Sequence, residues 1–415
     1  MKFSFTSLTP GTHRTSGRRT TRLRIVLLLL VVCCPALAQE RVGIRVANNT
    51  VLVPVRINHH DLTFVLDTGS EFSAIDSSVA QQLGLTGTAA IPVLKNYREQ
   101  GSEMIEVRSF GIGSRVFTHT TFGTVELNHV SAAISAQVDG ILGNDILQSV
   151  PFQLNYSKRE LRIGRLANVA QLGKLIRLRR DGDEFYVPLQ IVSVPVELLL
   201  DTGTNSTNLS SGTWQRVSRV WQPRSVIDGV VRAGSAVPPA FLVCLPGISL
   251  ADETLTAQVV RVQRPVTSGV FSGAGFGGIL GSDFLRQFEV TFDLAHSRIF
   301  LRKDPRFKRD PYRYTTIGMQ FAKDAGDQYI VMGVWKNSPA EEAGIRAGDR
   351  IKAVNGRPSR NLSLEGLGNQ LHGPEGTPVR LVMQRDSAPF PVTVRTRQML
   401  CSPQSSRDTL QAAQN

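Results

Sequence analysis

The sequence has few cysteines and lacks the residue spacings of a metal site. Two of its four cysteines fall in an N-terminal apolar segment, which leaves Cys244 and Cys401 in the rest of the chain. Neither Cys-x-x-Cys nor paired zinc-type histidines occur, and the adjacent His59 and His60 would point to opposite faces of a strand. A disulfide between Cys244 and Cys401 would tie the second half of the chain to its tail. We expect instead a buried Cys244, a free Cys401 and no metal.

The motifs of two common enzyme classes are missing or incomplete. Neither Gly-x-Ser-x-Gly nor Gly-Asn-Ser-Gly-Gly occurs, which argues against a serine hydrolase. The glycines of 273–278 fit the dinucleotide pattern Gly-x-Gly-x-x-Gly, and Asp293 lies about twenty residues further on. That pattern must follow a strand and open a helix, whereas here it runs directly into Ile279-Leu280-Gly281. We therefore expect a flexible loop near a cleft and no cofactor.

A long hydrophobic run is also missing. The apolar run at 25–34 is too short to span a bilayer comfortably. Arginines precede this run and Ala36-Leu37-Ala38 follows it, which is typical of an export signal cleaved before Gln39. We predict a signal peptide over 1–38 and a periplasmic or secreted protein, with a retained N-terminal anchor as the alternative.

The positive charge of the chain is modest once this segment is set aside. The formal net charge of +13 falls to +7, because residues 1–38 carry six basic residues and no acidic ones. Much of the remaining excess lies at 302–311, which we interpret as part of a solvated basic linker at 304–314. At most a peripheral contact with an anionic membrane is expected, and nucleic-acid binding has no supporting motif.

What the sequence does contain is an internal duplication. Asp67-Thr68-Gly69-Ser70 follows three apolar residues and returns 134 residues later as Asp201-Thr202-Gly203-Thr204. Segment 140–147, which contains Ile-Leu-Gly, returns at 278–285. Repeated motifs at a nearly constant offset indicate two copies of one structural unit. Apolar–polar alternation around each copy predicts strands, so the fold is expected to be mainly β.

The repeated aspartates suggest a specific chemistry. Each would stand at the end of a buried strand, where Gly69 or Gly203 lets the backbone turn sharply. If the two copies pack about a pseudo-two-fold axis, Asp67 and Asp201 face each other and share one proton. Such a pair can activate a water for attack on an amide carbonyl, with one acid and one base near the same pH. The titration belongs to the pair, so the sequence assigns neither role to one residue.

These motifs resemble those of the aspartic proteases, in particular the retroviral-type peptidases and their bacterial relatives. The resemblance covers residues 41–303 and implies two retropepsin-like β-barrel lobes, at 41–165 and 180–303, that form a pseudo-two-fold pair. It implies that Thr68 and Thr202 hydrogen-bond across the lobe interface. It also implies that Ser70 and Thr204 each bond the outer oxygen of their own aspartate, with the Ile-Leu-Gly segments packed beneath.

The same resemblance implies a hairpin that closes over substrate as a flap. We expect its tip at 97–102 in the first lobe and near 231–235 in the second. Closure of such a hairpin would exclude water and grip the peptide backbone.

The region 315–398 follows the linker as a separate domain. Ser338-Pro339 opens a short capped helix that stops at Gly344, and Gly348-Asp349 begins a turn–strand–turn. This pattern resembles a PDZ domain of the bacterial type, a small α+β fold that binds peptide ends by adding a strand to a sheet edge. The resemblance implies that Ile317, Gly318 and Met319 form the carboxylate-binding loop and that 363–371 is the groove helix. The polar tail, 399–415, is predicted to be disordered.

Together these features predict an exported aspartic endopeptidase whose partners are a polypeptide substrate and a peptide or protein terminus at the PDZ domain. Because both catalytic loops lie in one chain, activity does not require an oligomer. The alternative is a non-catalytic peptide-binding or scaffold protein that retains the barrel and the PDZ domain. Intact motifs in both copies favour the enzyme.

Overall fold

The computed structural model describes residues 39–401 except 86, 88, 91–102, 167, 231–239, 268, 274 and 325. Both expected flap tips, 97–102 and 231–235, lie outside the described residues, as do the signal segment and 402–415. In the described part of the chain, no helix has the length and apolar character needed to cross a membrane.

The first half of the chain forms a closed barrel and the first strands of a second sheet. Its strands are β1 (Glu40–Gly43), β2 (Arg45–Ala47), β3 (Thr50–Ile57), β4 (His60–Leu66), β5 (Ala74–Asp76), β6 (Ala89–Ala90), β7 (Glu103–Ile112), β8 (Arg115–Val125), β9 (Gly140–Leu142), β10 (Phe152–Asn155) and β11 (Glu160–Ile163). Its helices are α1 (Ser77–Gln82), α2 (Asn128–Ile134) and α3 (Asn144–Leu147). Strands β3-β4-β9-β5-β8-β7 follow one another in the sheet, and pairing of β3 with β7 closes them into a six-stranded barrel.

The second half repeats this order. Its strands are β12 (Lys174–Arg177), β13 (Arg179–Asp181), β14 (Glu184–Ile191), β15 (Val194–Leu200), β16 (Asn208–Leu209), β17 (Val226–Val230), β18 (Ala240–Leu250), β19 (Glu253–Val262), β20 (Gly278–Leu280), β21 (Phe288–Asp293) and β22 (Arg298–Lys303). Its helices are α4 (Ser211–Val220) and α5 (Ser282–Leu285). Strands β14-β15-β20-β16-β19-β18 close through the pairing of β14 with β18. The predicted fold class, mainly β with two retropepsin-like barrel lobes, is confirmed.

The barrels form because their strands alternate in burial. Strands β3 and β14 occupy equivalent places, and in both the C-terminal half alternates between buried and exposed residues. This period of two puts one row of side chains into the barrel interior and leaves the other outside. The glycines of 273–278 lead into strand β20 and not into a helix, unlike a dinucleotide-binding turn.

A six-stranded sheet joins the two lobes. Its order is β1-β11-β10-β21-β22-β12, so each half of the chain supplies three strands. At its centre β10 pairs antiparallel with β21, and the rings of Phe152 and Phe292 stack with centroids 4.4 Å apart. Equivalent strands thus meet across the centre, as a pseudo-two-fold axis requires.

The PDZ-like region has a separate hydrophobic core. Its strands are β23 (Thr315–Thr316), β24 (Met319–Lys323), β25 (Tyr329–Val334), β26 (Arg350–Val354), β27 (Arg357–Pro358), β28 (Pro378–Arg385), β29 (Ala388–Arg395) and β30 (Arg397–Gln398), and its helices are α6 (Pro339–Glu342) and α7 (Leu364–Gln370). Five of its strands follow one another in one sheet, β27 pairs with β26 at the side of that sheet, and β23 pairs with β30 in a separate two-stranded sheet. Strand β24 ends the path β24-β25-β26-β28-β29. Ser338 caps α6 by accepting a hydrogen bond from Glu341 N–H. Helix α7 lies where the groove helix was expected.

The expected states of the two cysteines are wrong. Cys244, on β18, forms a disulfide with Cys401, and their Cα atoms lie 5.5 Å apart. Residues 399–401, which the sequence assigned to a disordered tail, are folded, because Leu400 is buried with Ile227 and Trp335. The apolar contact brings the cysteines together, and their separation of 157 residues gave no indication of it.

The basic linker also differs from a freely solvated segment. Asp304 is buried, and the guanidinium of Arg309 donates to the carbonyl oxygens of Thr256 and Ala257 on β19. The linker therefore lies against the second lobe, although Arg309 itself is an exposed residue.

Candidate active site

Equivalent strand ends hold the two repeated aspartates. Asp67 follows β4 and Asp201 follows β15, and each of these strands pairs in parallel with the Ile-Leu-Gly strand of its own lobe. The N–H of Asp67 donates to the carbonyl oxygen of Leu142 at 3.0 Å, and that of Asp201 to Leu280 at 3.1 Å. Each Asp loop therefore begins from a fixed strand position.

Two threonines lock the Asp loops together across the lobe interface. Thr68 Oγ1 donates to the carbonyl oxygen of Leu200 at 2.8 Å, and Thr202 Oγ1 donates to that of Leu66 at 2.7 Å. Each hydroxyl also accepts the other threonine's backbone N–H, at 3.1 Å in both directions. Both threonines are fully buried, so these four reciprocal hydrogen bonds fix the relative position of the loops away from water.

The two carboxyl groups meet at this interface. Each packs on the glycine of the opposite loop. A Cβ built on Gly69 would lie 2.5 Å from Asp201 Cγ, and one on Gly203 would lie 2.4 Å from Asp67 Cγ. The side chains of Asp67 and Asp201 are also joined by a hydrogen bond. Glycine is required at both positions, because any side chain would occupy the space of a carboxyl group.

The electrostatics of the pair are those of two acids that share a proton. Burial raises the pKa of Asp67 well above its usual range, and the neighbouring charge of Asp201 raises it further. Burial also raises the pKa of Asp201, although hydrogen bonds from Thr204 act in the opposite direction. Two carboxylates this close cannot both ionise at low cost, so the pair holds one proton to a higher pH than a separate aspartate would.

The residues after the glycines differ between the lobes. Thr204 Oγ1 donates to Asp201 Oδ2 at 2.8 Å, and Thr204 N–H donates to Asp201 Oδ1 at 2.7 Å. Ser70 Oγ donates instead to the carbonyl oxygen of Phe72 at 2.8 Å. The expected contact of the Ser70 hydroxyl with Asp67 is therefore replaced by a bond within its own loop, since a hydroxyl has one proton to donate. Asp67 Oδ1 accepts from Gly69 N–H at 2.9 Å.

Two parts of the chain are similar to known protein families. Residues 53–146 match the family described as aspartyl protease, and residues 330–385 match the PDZ domain family. The chain carries a retropepsin-like aspartyl protease domain and a PDZ domain. The resemblance stated from the sequence is confirmed for both parts.

Relatives of known name share only part of this architecture. A probable CtpA-like serine protease of Staphylococcus saprophyticus is 32% identical over 82 residues, and one of Staphylococcus aureus is 37% identical over the same length. The match covers 20% of this chain, and the chain spans only 16% of the length of either relative. The match of residues 53–146 to the aspartyl protease family supports a peptidase in general terms.

Two solved structures show weak overall similarity. The aspartic proteinase from Irpex lacteus is 13% identical, with a TM-score of 0.40, over 65% of this chain and 98% of that protein. The photosystem II D1 C-terminal processing protease is 26% identical, with a TM-score of 0.20, over 21% of this chain and 24% of that protein.

Sequence reasoning missed a second pair of acids behind the protease loops. Asp145 Oδ1 accepts from the N–H and hydroxyl of Ser73, and Asp283 Oδ1 accepts from the same groups of Thr207. Burial raises the pKa of both carboxyls. A signal was present, because an aspartate stands two residues after the Ile-Leu-Gly motif in both copies.

Ile317 and Gly318 of the predicted carboxylate-binding loop connect β23 to β24, and the N–H groups of both already have partners. The N–H of Ile317 donates to the carbonyl oxygen of Leu371 at 3.3 Å, and that of Gly318 lies 3.5 Å from Thr316 Oγ1. Gly318 has a positive φ of 85°, and Met319 begins the edge strand β24. Helix α2 of the first lobe lies near β24. A peptide carboxylate would therefore compete with internal partners for these N–H groups.

Cation-binding side chains do not converge on a common point in the described residues. No group of three or more His, Cys, Asp or Glu side chains there could hold a metal ion.

Proposed function

We propose that this protein is an aspartic endopeptidase in which Asp67 and Asp201 share one proton and activate one water. The observation that supports this most is the meeting of the two carboxyl groups across the lobe interface, each packed on the glycine of the other loop. Four threonine hydrogen bonds hold that arrangement. Such pre-organisation is what general acid–base catalysis requires.

The hydrogen bonds favour different starting states for the two acids. Asp201 accepts from the N–H and hydroxyl of Thr204 and from Gly203 N–H, whereas Asp67 accepts from the N–H groups of Gly69 and Ser70. Hydrogen bonds to a carboxylate stabilise its charged form. Asp201 therefore starts as the carboxylate and Asp67 as the acid.

Peptide hydrolysis then proceeds with balanced proton transfers. The water oxygen attacks the amide carbon while Asp201 removes a proton from the water. At the same time Asp67 gives its proton to the carbonyl oxygen. In the second step Asp201 protonates the amine nitrogen while the C–N bond breaks. Asp67 recovers a proton from the gem-diol as the carboxyl product forms, which restores the starting state.

A serine mechanism has less support. The relatives that carry the serine protease name share 82 residues with this chain, and 84% of their length has no match here. The 82 residues are comparable in length to the PDZ domain alone, which can be combined with unrelated catalytic domains. A non-catalytic peptide-binding protein is the remaining alternative.

Cleavage of an unstructured test peptide by the purified protein decides between these functions. We expect Asp67→Asn and Asp201→Asn each to lower kcat/KM by about a thousandfold or more, because each removes one of the paired acids. Asp61→Asn is the matched control, since Asp61 lies on β4 but is exposed and paired with Arg56. Cleavage should resist serine reagents and chelators. Normal cleavage by either dyad variant would contradict the proposal.

The PDZ domain is proposed to bind peptide or protein termini along strand β24. Strand β24 ends the main strand path, so an added strand can extend the sheet there. A labelled peptide ending in an apolar residue should bind the wild-type protein and lose affinity when its carboxylate is amidated. Equal affinity for the amidated peptide would contradict terminus recognition. No oligomer is needed for either function.

We also propose that the protein is exported, to the periplasm or to the outside of the cell. The disulfide between Cys244 and Cys401 supports this, because disulfides persist mainly in oxidising compartments. N-terminal sequencing of the protein from its native envelope should begin at Gln39. A chain found reduced in the cytoplasm and starting at Met1 would overturn this proposal.

A further inference from the structure

A cavity of about 260 Å³ lies between the second lobe, the linker and the C-terminal segment. Its walls include Asp283 and Thr207, which support the Asp201 loop from behind, and the rings of Phe284, Phe307 and Tyr314. An engineered cavity of about 150 Å³ holds benzene, so this one has room for a slightly larger molecule. It is separate from the cleft where the two repeated aspartates meet.

Three arginines line this cavity: Arg286, Arg309 and Arg313. Arg286 donates to Asn49 Oδ1, and Arg309 donates to two backbone carbonyl oxygens. Within the described residues none of the three forms an ion pair with a carboxylate at hydrogen-bonding distance. Arg309 and Arg313 are exposed residues, so a ligand can reach the cavity from solvent.

The carboxylates of the cavity have other partners. Asp283 accepts from Thr207 and from Phe284 N–H, and Asp310 pairs with His372 at 3.0 Å. Arg286 and Arg313 lie close enough for their charges to repel, and the pKa of Arg286 is lowered by burial first and by Arg313 second. Asp283 acts electrostatically on both guanidinium groups, and Arg313 hydrogen-bonds the side chain of Tyr314. The hydrogen bonds of Asp283 go to Thr207 and Phe284, so an anionic ligand would add charge-assisted hydrogen bonds that Asp283 does not make.

The first lobe provides an internal comparison, because the side chains at its equivalent position are hydrogen-bonded to one another. Gln148 follows α3 as Arg286 follows α5. Gln148 accepts from Arg180 at 3.0 Å, and Arg180 donates to Asp183 at 2.8 Å. The guanidinium there already has its carboxylate. In the described part of the second lobe, Arg286 and Arg313 have no carboxylate within ion-pair distance, although Asp283 acts on both electrostatically.

We propose that this cavity binds a small anionic ligand, a carboxylate or phosphate ester on an apolar ring, through Arg286 and Arg313. The two guanidinium groups take the anionic oxygens, and Phe284, Phe307 and Tyr314 pack on the ring. A neutral ligand of the same shape makes no charge-assisted hydrogen bond to these two arginines and binds more weakly. Because much of the affinity is electrostatic, binding weakens as the salt concentration rises.

The test uses benzoate, phenyl phosphate and the neutral benzyl alcohol as probes, with isothermal titration calorimetry on the folded 39–415 protein. We expect one or both anions to bind and benzyl alcohol to bind at least about tenfold more weakly, the worth of one charge-assisted hydrogen bond. The better of the two anions identifies the ligand class. Failure of both anions to bind at millimolar concentration would overturn the proposal, as would equal binding of benzyl alcohol.

Variants locate the site. Arg313→Gln and Arg286→Gln should each weaken anion binding by about tenfold or more. Arg264→Gln is the matched control, because it removes one positive charge from the same lobe at an arginine paired with Asp228. Equal losses in all three variants would show a general charge effect and overturn the site.

Arg286→Gln also removes the contact of Arg286 with Asn49 and could disturb folding, so a measurement on the wild-type protein is needed as well. A crystal of the wild-type protein soaked in the better anion should show it between Arg286 and Arg313, and density elsewhere would overturn the site. Peptide cleavage plays no part in either readout, so the fate of this proposal is independent of the proposed enzymatic function.

Discussion

The two lobes use the same framework to hold acids that differ in their environment. The reciprocal threonine bonds, the strand pairing before each aspartate and the supporting Ser73–Asp145 and Thr207–Asp283 contacts occur in both. The difference begins one residue after each glycine, where Thr204 bonds Asp201 and Ser70 turns away from Asp67. Duplication preserved the position of the acids, while the hydrogen-bond donors around them differ between the lobes.

A second difference concerns what covers the back of each loop. The first lobe places Gln148 between Arg180 and Asp183, whereas the second lobe places Arg286 in a cavity that the linker helps to line. The PDZ domain attaches on the side of the second lobe, where Trp335 and Leu400 pack on Ile227 and the disulfide joins β18. The symmetry of the lobes is therefore retained at the cleft and lost on the surface behind it.

The largest loss of activity in this comparison is expected when the glycine of either Asp loop, Gly69 or Gly203, is replaced. Gly69→Ala and Gly203→Ala each place a Cβ within 2.5 Å of the opposite aspartate's Cγ. Since misplacement of a reacting group by about 1 Å costs about a hundredfold, each should lower kcat/KM by at least that factor. Gly212→Ala, in α4, is the control, because its Cβ meets only Ser210 Oγ at 3.9 Å.

Peptidase assays together with circular dichroism check this expectation. The glycine variants should keep the wild-type spectrum, and Gly212→Ala should stay within about twofold of wild-type activity. Full activity in Gly69→Ala but not in Gly203→Ala would show that the two carboxyls do not meet symmetrically.

A smaller effect distinguishes the donors after the glycines. Thr204→Val removes a charge-assisted hydrogen bond to Asp201 and should lower kcat/KM by about tenfold to a hundredfold. Ser70→Ala removes a bond to a backbone carbonyl and should have at most about a threefold effect. The measurement is the pH dependence of kcat/KM for both variants and the wild type.

The direction of the pH effect follows from the contacts. Burial raises the pKa of Asp201 and the Thr204 bonds lower it, so loss of the hydroxyl raises it further. Asp201 must be ionised to act as base, so the acidic limb of the Thr204→Val profile should move to higher pH. The Ser70→Ala limb should stay in place, and equal shifts in both variants would contradict the unequal roles of the two lobes.

The sequence predicted the features that occur in both copies of the duplication better than the contacts that occur only once. The duplicated motif predicted both barrels and the meeting of Asp67 with Asp201, because strand ends and tight turns are local features. Asp145 and Asp283 were equally repeated but had no motif to give them a role. The pairing of Phe152 with Phe292 depends on how the halves dock, which local patterns do not specify.

Single, non-repeated contacts were beyond the sequence. Cys244 and Cys401 come together because of the packing of Leu400 on the second lobe, far along the chain. Ser70 belongs to the expected motif, yet its hydroxyl donates to the carbonyl oxygen of Phe72, and the motif does not indicate this acceptor. Both misses concern which partner a side chain selects after the chain has folded.

The smallest expected difference between the lobes lies in the caps of α1 and α4. The carboxylate of Asp76 accepts hydrogen bonds from the N–H groups of Ser78 and Val79 in the first turn of α1, and from Leu127 N–H at 2.9 Å. Ser210 has the equivalent position before α4, and among the described contacts its hydroxyl accepts only from Thr213 N–H. Asp76→Ala should cost about 2 kcal/mol and Ser210→Ala about 1 kcal/mol, because a cap is worth about 1 kcal/mol and Leu127 N–H also loses its acceptor. Hydrogen exchange of the helix amides measures both locally.

The pH dependence of these two variants completes the comparison. Burial raises the pKa of Asp76, but the bonds from Ser78, Leu127 and Val79 outweigh it, so the folded pKa lies below the ordinary 3.8. A lowered folded pKa contributes stability that is present above the unfolded value and lost as the pH falls through the folded one. The cost of Asp76→Ala should therefore shrink in acid, while that of Ser210→Ala should stay constant, since a serine does not titrate. A cost of Asp76→Ala that persists at the acid end would show that the carboxylate charge contributes nothing to the cap.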